Sequence, residues 1–139
     1  MAGGRRQPAL VRAVNAMMRA LGGASVGLRM AVATADGVQR ELGIAASAYQ
    51  EVRVAPVVVR QLQGAAKEGD GREEIEILIS PTALDAVTPA VGIDDGWTFL
   101  CGVEQVVHAE RVFAVTDVSA DRFAGLAYMY RVTAVASTQ

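Results

Sequence analysis

Cysteine, histidine and lysine are nearly absent from this chain; each occurs once, as Cys101, His108 and Lys67. A single cysteine excludes an intrachain disulfide and fits a reducing or indifferent compartment. A structural zinc site wants four Cys or His ligands, and only these two residues are on offer. They are also the whole supply for a Cys–His nucleophilic pair. Cys101 closes the apolar run Trp97-Thr98-Phe99-Leu100 and reads as a buried thiol, while His108 reads as an imidazole at a strand end. Neither GxGxxG nor GxxxxGK[ST] occurs, so nucleotide binding has no motif behind it. Asp94-Asp95 sit in a loop without the spacing of an EF-hand. No run reaches the roughly 18 apolar residues of a membrane-spanning helix. The basic start, Met1 to Arg6, is followed by Arg12, Asn15 and Arg19, which interrupt the apolar stretch a signal peptide requires. These absences point to a soluble, cytoplasmically made protein that is not an enzyme, with no catalytic, cofactor-binding or metal-ligating residue.

What is present is apolar and turn-rich. Hydrophobic residues make up 52% of 139, enough for the core of one domain, and no Gly, Pro or Ser block is long enough to be an interdomain linker. A single domain over 1–139 is expected, with a loose N-terminal tip at 1–6. Charge is uneven: residues 1–62 hold eight arginines against Asp36, Glu41 and Glu51, giving +5, and residues 63–139 carry −7. Oppositely charged halves can attract copies of the chain or a charged partner if the fold keeps them apart. Arg5, Arg6, Arg12 and Arg19 are the candidate basic contacts. Without interleaved aromatics, and with a pI near 5.4, they do not make nucleic-acid binding the main role.

Periodicity predicts a helix over Gln7–Leu21, with Leu10, Val14, Met17, Met18 and Leu21 on its apolar face and Gly22-Gly23 ending it. Ala24–Ala33 alternates as a strand. Val38–Ala46 is ambiguous between a short helix and an irregular connection. Gln50–Gln61 reads as a long strand in which Pro56, having no N–H for a ladder, marks an edge or a bulge. Val57-Val58-Val59 then implies burial on both faces, in a barrel or beneath a partner. Gln63–Glu74 holds three glycines and no β-branched residue, and is expected to be a mobile loop. Its residues Gln63, Lys67, Glu68, Asp70, Arg72, Glu73 and Glu74 are the candidate partner or channel contacts.

Ile75–Ile79 is a short strand. Ser80-Pro81 starts a short helix, with serine as N-cap and proline in the first turn. Asp95-Gly96 reads as a turn ahead of Trp97–Cys101. Val103–His108 and Arg111–Val118 are strands joined tightly through Ala109-Glu110. A longer loop over Ser119–Gly125 precedes a last strand, Leu126–Val135, with Tyr128, Tyr130 and Val132 on one face. The expected class is mainly β (α+β), with an N-terminal helix, a short helix after Ser80 and a long loop.

The order of segments carries a resemblance. An amphipathic helix precedes a strand containing Val-Gly-Leu-Arg-Met (26–30). Then come Glu-Leu-Gly-Ile-Ala-Ala-Ser-Ala-Tyr-Gln-Glu-Val-Arg-Val-Ala-Pro-Val-Val-Val-Arg (41–60), a variable loop, Ile-Leu-Ile-Ser-Pro-Thr-Ala-Leu-Asp-Ala-Val (77–87) and a closing pair ending in Tyr-Met-Tyr-Arg-Val-Thr (128–133). This order resembles the small head–tail joining proteins, adaptors or stoppers, of phage and prophage neck modules. The resemblance spans most of the chain through short hydrophobic patterns. It implies a small β-barrel with a long loop, ringed with its own copies around the DNA channel of a virion neck. Neighbouring neck proteins would lie on the portal or adaptor side and on the tail side. DNA would pass without sequence-specific contacts, and no catalytic residues come with the family. A tail-terminator or tail-completion protein is a related reading, and a small ligand- or nucleic-acid-binding β-domain is one of another class.

Overall fold

A computed structural model describes residues 9–21, 23–31, 49–62 and 73–136 of the chain. Six antiparallel strands close into a barrel: β1 (Ala24–Ala31), β2 (Tyr49–Leu62), β3 (Glu74–Ile79), β4 (Val103–His108), β5 (Arg111–Phe123) and β6 (Leu126–Ala136). The order around the barrel is β1-β2-β3-β6-β5-β4, and β4 pairs back onto β1 to close it. Helix α1 (Ala9–Leu21) lies outside the wall. Between β3 and β4 come α2 (Pro81–Asp85), a 3-10 turn (Thr88–Val91) and α3 (Gly96–Cys101). The fold is therefore mainly β with a small closed barrel and two of the expected helices.

The inward set follows period-two alternation. Val26 and Leu28 of β1, Val54 and Val57 of β2, Ile75, Ile77 and Ile79 of β3, Val106 of β4, Phe113 of β5, and Tyr130, Val132 and Ala134 of β6 form one buried cluster. Ala83 and Leu84 of α2 and Phe99 and Leu100 of α3 join it, plugging one end of the barrel. Each fully buried Leu or Phe contributes about 1.5–3 kcal/mol of transfer free energy, so these two short helices are held by their apolar residues. Both are also capped: Ser80 Oγ accepts from Ala83 N at 3.1 Å, and Asp95 Oδ2 from Thr98 N at 3.2 Å. Asp95 thus caps a helix instead of closing a turn ahead of Trp97–Cys101, which belongs to that helix.

Pro56 falls at a bulge, as its missing N–H suggested. Four residues of β2 (Val54 to Val57) face three of β1 (Val26 to Ala24), and there β2 changes partners from β1 to β3. The valine run is covered on both sides. Val57 and Val59 pack on the interior, while Val58 meets a second, outer cluster of Val14 and Met18 of α1 with Leu78 and Met129. Tyr128 packs with this outer group and not with Tyr130, because the β5–β6 register shifts between Asp121 and Arg122.

Two further expectations are corrected. The buried face of α1 is Val11, Val14 and Met18, leaving Leu10, Met17 and Leu21 exposed. The Ser119–Gly125 loop is instead the continuation of β5 to Phe123, turned by Ala124-Gly125, both at positive φ. The polar residues that read as loop face outward there: Asp121 Oδ2 accepts from Arg131 at 2.8 Å, and Glu76 lies between Arg131 and Arg60 at 3.6 and 3.3 Å. This row of charges crosses β5, β6, β3 and β2.

The plug depends on a close approach at Gly96, where a Cβ would stand 2.8 Å from Leu84 Cδ2. Gly96→Ala is expected to destabilise by about 1–3 kcal/mol through overpacking, although alanine is the better helix former. Urea denaturation of both proteins measures it. Equal midpoints would mean that Leu84 is free to yield.

Candidate functional site

The barrel end opposite the plug is lined by inward-facing polar side chains. β2 leaves it at Leu62 and β3 enters at Glu74; β4 ends there at His108, and β5 starts at Arg111 after the tight turn Ala109-Glu110. Both turn residues have positive φ, 51° and 63°, the pairing a two-residue hairpin with right-handed strand twist requires. Gln61 follows Val59 by two residues, Glu73 precedes Ile75 by two, His108 follows Val106 by two, and Arg111 precedes Phe113 by two. Alternation therefore brings all four to the mouth, over a floor of Val59, Ile75 and Phe113, around a cavity of about 190 Å³.

Arg111 Nη1 donates to Glu73 Oε1 at 2.7 Å, Gln61 Nε2 to Glu73 Oε2 at 3.3 Å, and the guanidinium lies 5.2 Å from the Phe113 ring centroid. The hydrogen bond from Arg111 holds the Glu73 carboxyl below the ordinary glutamate range, against partial desolvation and with a smaller contribution from His108. The Nδ1 atom of His108 is buried and has no hydrogen-bond partner. Glu73 is thus the hub of the mouth, tied at both oxygens and at its backbone, whose carbonyl accepts from Ala136 N at 2.8 Å.

The residues nominated from sequence are divided by this geometry. Glu73 is fixed in the mouth and Glu74 is the first residue of β3, so neither belongs to a mobile loop; β3 recruits them by pairing with β2 and β6. Gln63, Lys67, Glu68, Asp70 and Arg72 lie outside the described residues, as do Arg5 and Arg6. The segment that carries the first five leaves and rejoins the barrel at this mouth. Arg12 and Arg19, seven residues apart and so on one face of α1, flank a shallow groove with Asn15 and Ala16. Asn15 Nδ2 donates to Thr82 Oγ1 at 2.8 Å, tying that flank of the helix to α2. Gln61, His108 and Arg111 were not nominated as a group; the available signal was a polar residue at an inward position, one step beyond the last apolar one.

Chemically, the mouth offers one carboxylate already committed to a guanidinium and one imidazole. Cys101 is exposed, contrary to the buried thiol expected, because α3 turns its Phe99 and Leu100 inward and leaves its last residue outside. It precedes β4 while His108 ends it, and six strand residues set the two about 15–20 Å apart. They cannot act as a pair within one chain. Among the described residues, no three His, Cys, Asp or Glu side chains are grouped to hold a metal, and no helix is long and apolar enough to cross a membrane. Comparison of the chain with protein-family models, with curated proteins and with solved structures finds no match in any of the three.

The Glu73–Arg111 pair sets a pH dependence. A carboxyl with a depressed folded-state pKa contributes stability above its unfolded pKa, and loses it as pH falls through the folded one. The stability gap between wild type and Glu73→Gln is therefore expected to be constant at neutral pH and to close in acid, below the ordinary glutamate range. Denaturation at a series of pH values follows the gap, and carbon NMR of the carboxyl reads the titration directly. In Arg111→Ala the carboxyl should titrate near its ordinary value. An unchanged titration there would remove Arg111 as the cause.

Proposed function

We propose that this chain is a structural subunit of a tailed-phage neck, one of a ring of copies that joins the DNA-filled head to the tail. The observation that carries the reading is the architecture: a small closed barrel with a helix on its outer wall, and with the glycine- and charge-rich stretch 63–72 rooted at one mouth by Leu62 and Glu73. This is the arrangement the resemblance implies, and it needs interfaces instead of a reaction centre. In such a ring the stretch 63–72 serves as the partner or channel contact, DNA passes without base recognition, and neck proteins of the head and tail sides bind the two ends of the barrel. At the mouth a small-ligand role fits less well, since that cavity of about 190 Å³ falls below the roughly 300–1,000 Å³ of small-molecule sites.

Immunogold electron microscopy of phage particles produced with the gene for this chain tests the reading. Label is expected at the head–tail joint of intact virions. Label on the upper end of isolated tails, and never on heads, would favour the tail-terminator reading. Particles carrying no label anywhere would overturn the virion role.

A further inference from the structure

The segment that plugs the barrel also frames a cavity of about 440 Å³, lined by Asp85, Thr88, Pro89, Gly92, Ile93 and Asp94. Its walls are one stretch of chain folded back on itself. α2 ends at Asp85, and the 3-10 turn Thr88–Val91 follows. Gly92 closes that turn at φ 72°, where glycine is favoured, and Ile93 N donates to the Thr88 carbonyl at 3.2 Å. The reversal brings Asp94 to the same cavity as Asp85. Val87, Val91 and Ile93 pack on the barrel core and hold the reversal in place.

Among the described residues, neither the Asp85 nor the Asp94 carboxylate has a hydrogen bond or an ion pair. Asp95 differs: its Oδ2 accepts from Thr98 N and Thr98 Oγ1, at 3.2 and 3.0 Å, in capping α3. Asp85 is the last residue of α2, the helix end at which a carboxylate is disfavoured. Partial desolvation, and then the neighbouring Asp95, push its carboxyl above the ordinary value. Arg122 bears on Asp95 and not on Asp85. Thr88 supplies an observation independent of charge. It is 3% exposed, and its hydroxyl has no hydrogen-bond partner among the described residues. The unpartnered side-chain atoms sealed from solvent there are Gln105 Oε1 and His108 Nδ1. The Thr88 hydroxyl is not one of them, so what remains exposed of it opens on the cavity that the residue lines. A hydroxyl left without a partner in a buried residue is costly, and a donor arriving with a ligand removes that cost.

We infer that this cavity binds a primary alkylammonium group, held by the Asp85 and Asp94 carboxylates and the Thr88 hydroxyl. An ammonium carries three N–H donors and no acceptor, which matches the three acceptor groups that line the cavity. Pro89 and Ile93 give its methylenes an apolar surface to lie on. A bare calcium ion suits the place less, since it takes roughly six to eight oxygens and no three acidic side chains are grouped among the described residues. The volume of about 440 Å³ lies within the roughly 300–1,000 Å³ of small-molecule sites. Two sources carry this group, a free amine and a lysine side chain of a partner protein, and the chemistry at the carboxylates is the same for both. The site is independent of the virion role.

Titration of the isotope-labelled protein with n-butylammonium at near-physiological salt, followed by amide NMR, tests it. Saturable shifts are expected at Asp85, Thr88, Gly92, Ile93 and Asp94, with roughly millimolar affinity, and none from the uncharged isostere n-butanol. Asp85→Asn and Asp94→Asn, both at exposed positions, are each expected to weaken binding about tenfold, the size of one charge-assisted hydrogen bond. Glu104→Gln, which removes an exposed carboxylate of β4, is expected to leave it unchanged. Thr88→Val should weaken binding and Thr88→Ser retain it, with thermal melts by circular dichroism showing that both fold. Bound amine should also lower the pH at which the Asp85 carboxyl titrates, read by carbon NMR, because a neighbouring cation favours the charged form. Nα-acetyl-lysine N-methylamide separates the sources: binding tighter than that of n-butylammonium assigns the site to a partner's lysine, and weaker binding to a free amine. No saturable shift at these residues, equal binding of n-butanol, or an equal loss in Glu104→Gln would each overturn the site.

Discussion

The pairing of β1 with β4 is the constraint on which the rest of this molecule depends. Six strands laid side by side would leave two rows of unpaired N–H and C=O groups, an open template for other chains. Joining Gly27, Leu28 and Arg29 to Val107, Val106 and Gln105 removes both edges at once. It also forces every strand into an inside and an outside. Ile75, Ile77 and Ile79 then have one direction to point, and Glu74 and Glu76 the other. The plug, the polar mouth and the seat of α1 follow from a wall that has closed.

Strands whose apolar residues alternate were legible in the sequence. β3, β4 and the Ala109-Glu110 turn fall within a residue of their expected bounds, and Ser80-Pro81 begins α2 as its side chains predict. The failures share a cause in tertiary context. Trp97–Cys101 is a short apolar run, for which strand and helix look alike until the Asp95 cap and the space above Leu84 decide. Ser119–Phe123 is polar because that part of β5 faces outward, carrying Asp121 against Arg131, and polarity alone reads as loop.

The candidate site was legible only in fragments. Glu73 was noticed for its charge, within a stretch judged too rich in glycine to order. Gln61, His108 and Arg111 lie far apart along the chain and meet only because barrel closure sets β2 beside β3 and β4 beside β5. No local pattern encodes that meeting. On α1 the periodicity correctly found an apolar face, but not how much of it the wall would cover. That division was set by Leu78 and Met129 on the strands beneath.

The outward placement of Cys101 at the end of α3 has a practical side. It is the one thiol of the chain, it is solvent-exposed, and the length of β4 separates it from the mouth. One maleimide fluorophore per molecule therefore marks one subunit without touching the mouth. Stepwise photobleaching of a labelled particle would then count, one dye at a time, how many copies of the chain it holds.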